Sequence, residues 1–147
     1  MIRGVRMGVD VGAVRVGVAL SDPHGILASP LVTLRRDPAG ERDIAELVRL
    51  AGEHKVVEIV VGLPRTLRGK RGPAALAAEK YAARLASRAT PVPVRLADER
   101  LTTVIASRAL ADRGVRGKRQ RAVVDQAAAV AILQSWLDAE RSAEGRP

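Results

Sequence analysis

The chain has 147 residues, a formal net charge of +9 and 47% apolar residues, with no Phe, one Trp and one Tyr. That length makes one domain with a real core, and the core must be built from Val, Leu, Ile and Ala. Cysteine is absent, which excludes disulfides and thiolate metal sites, and no apolar run approaches the ~20 residues of a membrane span.

Val5, Met7, Val9 and Val11 alternate with Arg6, Gly8, Asp10 and Gly12, the period-two pattern of a strand. Val14, Val16, Val18 and Leu20 continue it after Gly12-Ala13, which predicts a hairpin. Residues 26–34 read as a third strand. Asp37-Pro38 is a helix start signal, followed by Ile44, Leu47, Val48 and Ala51 at helical spacing. Residues 56–61 form a short, nearly unbroken apolar strand of the doubly buried kind, ended by Gly62-Leu63-Pro64. Pro73 suits the first turn of a helix with Ala78, Tyr81, Ala82 and Leu85 on one face, which must stop before Pro91. Residues 92–96 are a fifth strand, followed by Asp98-Glu99-Arg100. Thr102 or Thr103 can cap a helix through Ala106, Ala109 and Leu110 that Gly114 stops. Residues 123–137 are apolar almost all round, which predicts a buried helix, and residues 141–147 read as a polar, frayed tail. The expected fold is α/β: one domain over residues 1–140, order βββαβαβαα, a mixed five-stranded sheet flanked by helices. Ligands of such sheets gather beyond the carboxyl ends of the strands, here those of strands one, four and five.

The basic residues are not evenly spread. Arg65, Arg68, Lys70 and Arg71 crowd one glycine-punctuated segment, and Arg113, Arg116, Lys118, Arg119 and Arg121 crowd another, with no acid between them in either. Clusters of this kind in predicted loops point to a polyanion, nucleic acid above all. His24 and His54 lack metal-pair spacing and read as structural or surface residues. No leader-like segment precedes the first strand, so the expected location is cytoplasmic.

Three carboxylates sit where charge is expensive. Asp10 lies in the first strand, Glu99 follows the fifth beside Asp98, and Asp125 is the sole acid of the last helix before Asp138. Each has a local alternative. Asp10 could close a turn near Gly12, Glu99 could pair with Arg95 or Arg100, and Asp125 could favour the positive end of its helix. Taken together they are harder to explain locally, since two carboxylates ~4 Å apart repel by ~4 kcal/mol at an effective dielectric near 20. They could converge around a shared cation, and an all-oxygen set suits Mg²⁺ or Mn²⁺, as one or two ions.

Four blocks occur in order: GVDVGAVRVGVALSD, VVGLPRTLRGKRGP, DERLTT and VDQAAAVAILQSWLD. With these the chain resembles the YqgF (RuvX) family of ribonuclease-H-like proteins, described as pre-16S rRNA nucleases or Holliday junction resolvase-like proteins. The resemblance covers nearly the whole chain. It implies a ribonuclease-H-like sheet, a cytoplasmic protein and a metal-dependent nuclease. The substrate it implies is the 5′ end of pre-16S rRNA or, alternatively, a DNA junction. It makes Asp10, Glu99 and Asp125 the catalytic and metal-binding acids, with Gly12, Asp98 and Thr102 in support. Arg15 and Arg100 join Arg65, Arg68, Lys70, Arg71, Arg116, Lys118, Arg119 and Arg121 as contacts to nucleic acid, structured RNA before branched DNA. Asp22 falls on a motif position but reads as a turn or salt-bridge residue, while Gly17, Gly62 and Gly69 serve backbone geometry. Ala13-Val14 stands where relatives carry a hydroxyl and a lysine, which removes one phosphate contact and leaves the acids intact. Two other readings compete. An actin-like phosphotransferase shares the fold but clamps ATP between two domains, and this chain supplies one. A non-catalytic nucleic-acid-binding protein would not need the three acids. Symmetric junction cleavage would require a dimer, which the sequence does not reveal and the lack of cysteine keeps from being disulfide-linked.

Overall fold

The backbone of β1 (Val5–Val11) turns through Gly12 into β2 (Arg15–Ser21), the Gly12 amide closing the turn on the Arg15 carbonyl at 2.9 Å. This is the expected hairpin, and the Arg36 guanidinium adds a bond to the Gly12 carbonyl at 3.3 Å. A computed structural model describes residues 3–64, 72–99 and 118–144, with the side chains of Glu99, Lys118, Arg119 and Gln120 outside the description. The remaining elements are β3 (Ala28–Arg35), α1 (Arg42–Glu53), β4 (Val56–Pro64), α2 (Pro73–Ala89), β5 (Val94–Glu99) and α3 (Lys118–Glu144). The helix expected from Thr102 or Thr103 to Gly114 lies outside the described residues.

The five strands form one sheet in the order β3-β2-β1-β4-β5. The meander of the first three is antiparallel, and β4 and β5 join parallel to β1 after the crossovers that carry α1 and α2. The carboxyl ends of β1, β4 and β5 therefore lie side by side, as the α/β reading requires. Alternation along each strand sorts side chains between two faces. Met7, Val9, Val16, Val18, Ile59 and Val61 pack with Ile44 and Leu47 of α1 and Tyr81 and Leu85 of α2. Ala19 and Val60 pack on the other face with Ala129, Ile132, Leu133 and Leu137 of α3.

Several boundaries differ from the sequence pattern, each for a local reason. Asp37 does not start α1. Its carboxylate instead captures the amides of Gly40 and Arg42 at 3.2 Å each, and the helix begins only after the left-handed Glu41. The fifth strand begins and ends later than expected, because its ladder with β4 runs from Ile59↔Val94 to Pro64↔Glu99. Asp98 and Glu99 are thus strand residues. The last helix is not buried all round: Val123 is 60% exposed, and the buried stripe is Asp125, Ala128, Ala129, Ile132, Leu133 and Leu137. Its apolar residues include small alanines that do not need a partner on the outer side. The helix also passes residue 140 and runs to Glu144, with Arg141 donating to the carbonyls of Gly25 and Ile26, so residues 141–144 are helical rather than frayed. Residues 145–147 lie outside the description. Among the described residues, no helix is long and apolar enough to cross a membrane.

Candidate active site

Asp10 stands near the end of β1, directly opposite Gly17 of β2, and Gly17 is in turn opposite Thr33 of β3. One row of the sheet therefore runs Asp10–Gly17–Thr33. Cross-strand partners share a face, and the glycine shows which one. A Cβ at Gly17 would come within 2.0 Å of the Asp125 carbonyl oxygen, and one at Gly8 within 2.7 Å of the Leu133 Cβ. Two residues without side chains, each on the α3 face of the sheet, thus let the helix backbone settle directly onto the strands. No other residue type fits that approach at Gly17.

The settling brings Asp125 to the row that holds Asp10. Asp125 is 1% exposed and Asp10 is 8% exposed. Arg15, two residues before Gly17, donates from Nε to Asp125 Oδ2 at 2.6 Å. A carboxylate this far from water needs such compensation, because an unpaired buried charge costs several kcal/mol. Thr33 fastens the same stretch of helix: its hydroxyl donates to the Ala122 carbonyl at 2.7 Å and accepts from Gln126 Nε2 at 3.1 Å. Thr33 and Gln126 are positioning residues that the sequence pattern did not single out. Only the strand register shows that a threonine on β3 faces the helix carrying Asp125.

Glu99 is the last residue of β5, paired with Pro64. Gly62, which follows the Val9↔Val61 pair on β4, and its β5 partner Ala97 continue the row of Asp10 across the sheet. Glu99 lies two residues beyond Ala97, at the same carboxyl-end edge. Its side chain lies outside the described residues, as do Arg65, Arg68, Gly69, Lys70, Arg71, Arg100, Thr102, Arg113 and Arg116 and the side chains of Lys118 and Arg119. Among the described residues, no three His, Cys, Asp or Glu side chains are grouped closely enough to hold a metal ion. Asp98, paired with Leu63, is exposed.

Asp22 is a turn residue. Its carboxylate accepts from the amides of Leu27 at 2.7 Å, Ile26 at 2.8 Å and His24 at 2.9 Å. These bonds, Leu27's first, hold its carboxyl below the usual range. Gly12 closes the hairpin turn, as expected of a backbone role. Neither histidine is bonded to Asp10 or Asp125 in any described contact: His24 meets Arg3 on the surface and His54 ends α1.

Arg15, expected on nucleic acid, pairs with Asp125. It also lines a groove of about 390 Å³ beside the hairpin turn, together with Val14, Thr33, Leu34, Arg35 and Arg121. Arg35 was missed. Its signal was the Arg35-Arg36 pair at the end of a predicted strand, where one residue stays with the strand edge. The other, Arg36, turns away to place its guanidinium 5.2 Å over the Tyr81 ring.

Known proteins extend the comparison. Residues 4–139 match the model of a family described as "RuvX: Holliday junction resolvase". A "Putative pre-16S rRNA nuclease" of Mycobacterium sp. (strain KMS) is 58% identical over 145 residues, 99% of this chain and 86% of the relative. Its namesake in Mycolicibacterium paratuberculosis (strain ATCC BAA-968 / K-10) is 60% identical over 141 residues, 96% of this chain and 84% of the relative. Among solved structures, Thermus thermophilus RuvC in complex with a Holliday junction substrate superposes with a TM-score of 0.52 at 19% identity, covering 95% of this chain and 96% of that one. That likeness shows the fold, a mixed sheet of the RuvC and ribonuclease-H-like kind.

Proposed function

Because the chain belongs to the RuvX family, we propose that it is a cytoplasmic, metal-dependent nuclease that hydrolyses phosphodiester bonds in the 5′-end maturation of pre-16S rRNA. The observation that carries this reading is the pair of buried carboxylates, Asp10 and Asp125, brought to one face of the sheet with Gly17 as their common neighbour. The names of relatives 58–60% identical support the substrate.

The donor set is oxygen only, and its buried charges call for a cation, which fits Mg²⁺ or Mn²⁺. Asp10 and Asp125, with Glu99 from the adjoining strand end, would hold one or two such ions. A bound ion of this kind lowers the pKa of water and stabilises a leaving oxygen. The chain's own residues do the rest. Arg15, Arg35 and Arg121 hold backbone phosphates in the groove. Thr33 and Gln126 fix the helix that carries Asp125, and Asp98, Gly12 and Thr102 support the acids. Arg65, Arg68, Lys70, Arg71, Arg100, Arg116, Lys118 and Arg119 add affinity, which salt would weaken. With one Trp and one Tyr in the chain, base stacking is minor and recognition follows the shape of structured RNA.

The family description favours a second substrate, the four-way DNA junction. One assay separates the two: purified protein with Mg²⁺ or Mn²⁺ against pre-16S rRNA fragments, plain single strands and four-way junctions. Metal-dependent cleavage of the rRNA fragment near the mature 5′ end is expected. Paired symmetric nicks confined to junctions would replace the RNA reading with resolution by a dimer. No cleavage of any substrate with either metal would remove the nuclease.

A further inference from the structure

Arg15 belongs to two places at once. It compensates the buried Asp125 at 2.6 Å, and its side chain, 26% exposed, lines the groove shared with Arg35 and Arg121. The groove is lined by these three arginines, Thr33 and the apolar Val14, Leu34 and Ala122. That lining suits a phosphate with a sugar or base beside it. We propose that the groove seats a phosphate of the substrate strand, and that Arg15 passes from Asp125 to that phosphate when a divalent cation takes its place on the carboxylate.

The inference rests on the nuclease reading above and follows from competition for one charge. Asp125 is nearly out of water, so some cation must always accompany it. In the free protein Arg15 serves as such a cation. A divalent ion bound to the same carboxylate removes the reason for the guanidinium to stay. A phosphate in the groove that Arg15 lines is then a partner for it, since guanidinium matches phosphate as well as carboxylate. Each event favours the other. By linkage, a phosphate in the groove must tighten cation binding by the same factor as the cation tightens phosphate binding. Arg15 is therefore a positioning residue that keeps the acids from loading before substrate arrives.

Mn²⁺ binding by calorimetry tests this, using adenosine 5′-monophosphate as a probe with a phosphate but no internucleotide bond. In the wild type the probe should tighten Mn²⁺ binding by about fivefold or more, the lower end of ordinary coupling between sites. Arg15→Gln should bind Mn²⁺ tighter than wild type without the probe and should no longer respond to it. Arg35→Gln leaves the Arg15–Asp125 pair in place and should lose most of the response to the probe; a full response in it would take the phosphate out of the groove and overturn the exchange. Arg15→Lys covers the case that Arg15→Gln does not fold. It should bind Mn²⁺ at least as tightly as wild type and keep part of the response; weaker binding would overturn the exchange. Equal or weaker Mn²⁺ binding by folded Arg15→Gln overturns the exchange alone, as does a probe response that persists in it. Absence of Mn²⁺ binding by every protein, wild type included, takes down the acid site itself and the exchange with it.

Discussion

On one side of β1 stand Met7 and Val9, against α1 and α2; on the other, one residue out of step, stand Gly8 and Asp10, against α3. The same alternation runs through β2, where Val16 and Val18 face one way and Arg15, Gly17 and Ala19 the other. The first face is a layer of large apolar side chains. The second gives up bulk for glycine and accepts buried charge, the feature that most often costs a domain stability. A strand can hold both because neighbouring residues never share a surroundings. The apolar face supplies the stability on which the charged face draws, so perturbing each should produce a different kind of damage.

The largest effect is expected at the acids. Asp10→Asn, Glu99→Gln and Asp125→Asn should each reduce cleavage by roughly a hundredfold or more, and the double variants should fall little further, because groups that act as a unit are not additive. Asp10→Asn keeps volume and removes repulsion from Asp125, so its metal-free melting temperature should equal or exceed that of the wild type. Near-normal cleavage by Asp10→Asn with metal present would break the comparison, since the charged face would then be only structural.

A matched pair sharpens it. Leu85→Ala empties a wholly buried site on the apolar face and should cost about 2–5 kcal/mol of stability, with cleavage per folded molecule unchanged. Gly17→Ala adds one carbon where the Asp125 carbonyl would be 2.0 Å away. The helix must lift, which costs about 1–3 kcal/mol and moves Asp125 with it, so stability and cleavage should fall together. Denaturant unfolding and cleavage rates normalised to folded protein read the two apart. Full cleavage by Gly17→Ala would mean that the position of α3 does not set the acid.

How much of this was legible in the sequence follows from the same alternation. Period two placed Met7, Val9, Val16 and Val18 on one face, and the expense of a carboxylate within apolar strands singled out Asp10. Asp125 stood out because the helix around it is apolar. The α/β order of the described elements was readable from strand and helix periods. Register was not, because it depends on pairing between strands far apart in sequence. Gly17 read only as a backbone glycine, whereas its place between Asp10 and Asp125 emerges once β1, β2 and α3 are assembled. Thr33 gave no signal for the same reason, and the pairing of Arg15 with Asp125 gave none because the two lie 110 residues apart. The start of α1 was misplaced because Asp37 offers its carboxylate to a turn as readily as to a helix.

The smallest effect is expected from the one buried polar pair described on the α1 and α2 side, Tyr81 and Asp43. Tyr81 is buried there and donates its hydroxyl to Asp43 at 2.9 Å, between α2 and α1. Burial, then the Asp43 charge and hydrogen bond, push the phenol well above its ordinary value near 10. The folded protein therefore keeps this proton at pH values where the unfolded chain has released it. The stabilisation is fully present below about pH 10 and is lost as pH rises from there through the folded value, because ionisation favours the unfolded state. Tyr81→Phe removes a donor from a buried carboxylate and should cost about 1–3 kcal/mol at neutral pH, with cleavage unchanged. The gap between variant and wild type should narrow above about pH 10, since only the wild type can ionise on unfolding. The chain has a single tyrosine, so tyrosinate absorbance in the near ultraviolet reports this residue alone and should appear together with unfolding. Tyrosinate absorbance rising near pH 10 in protein that is still folded would show an open phenol, and the apolar face would not be the sealed layer that separates the two kinds of damage.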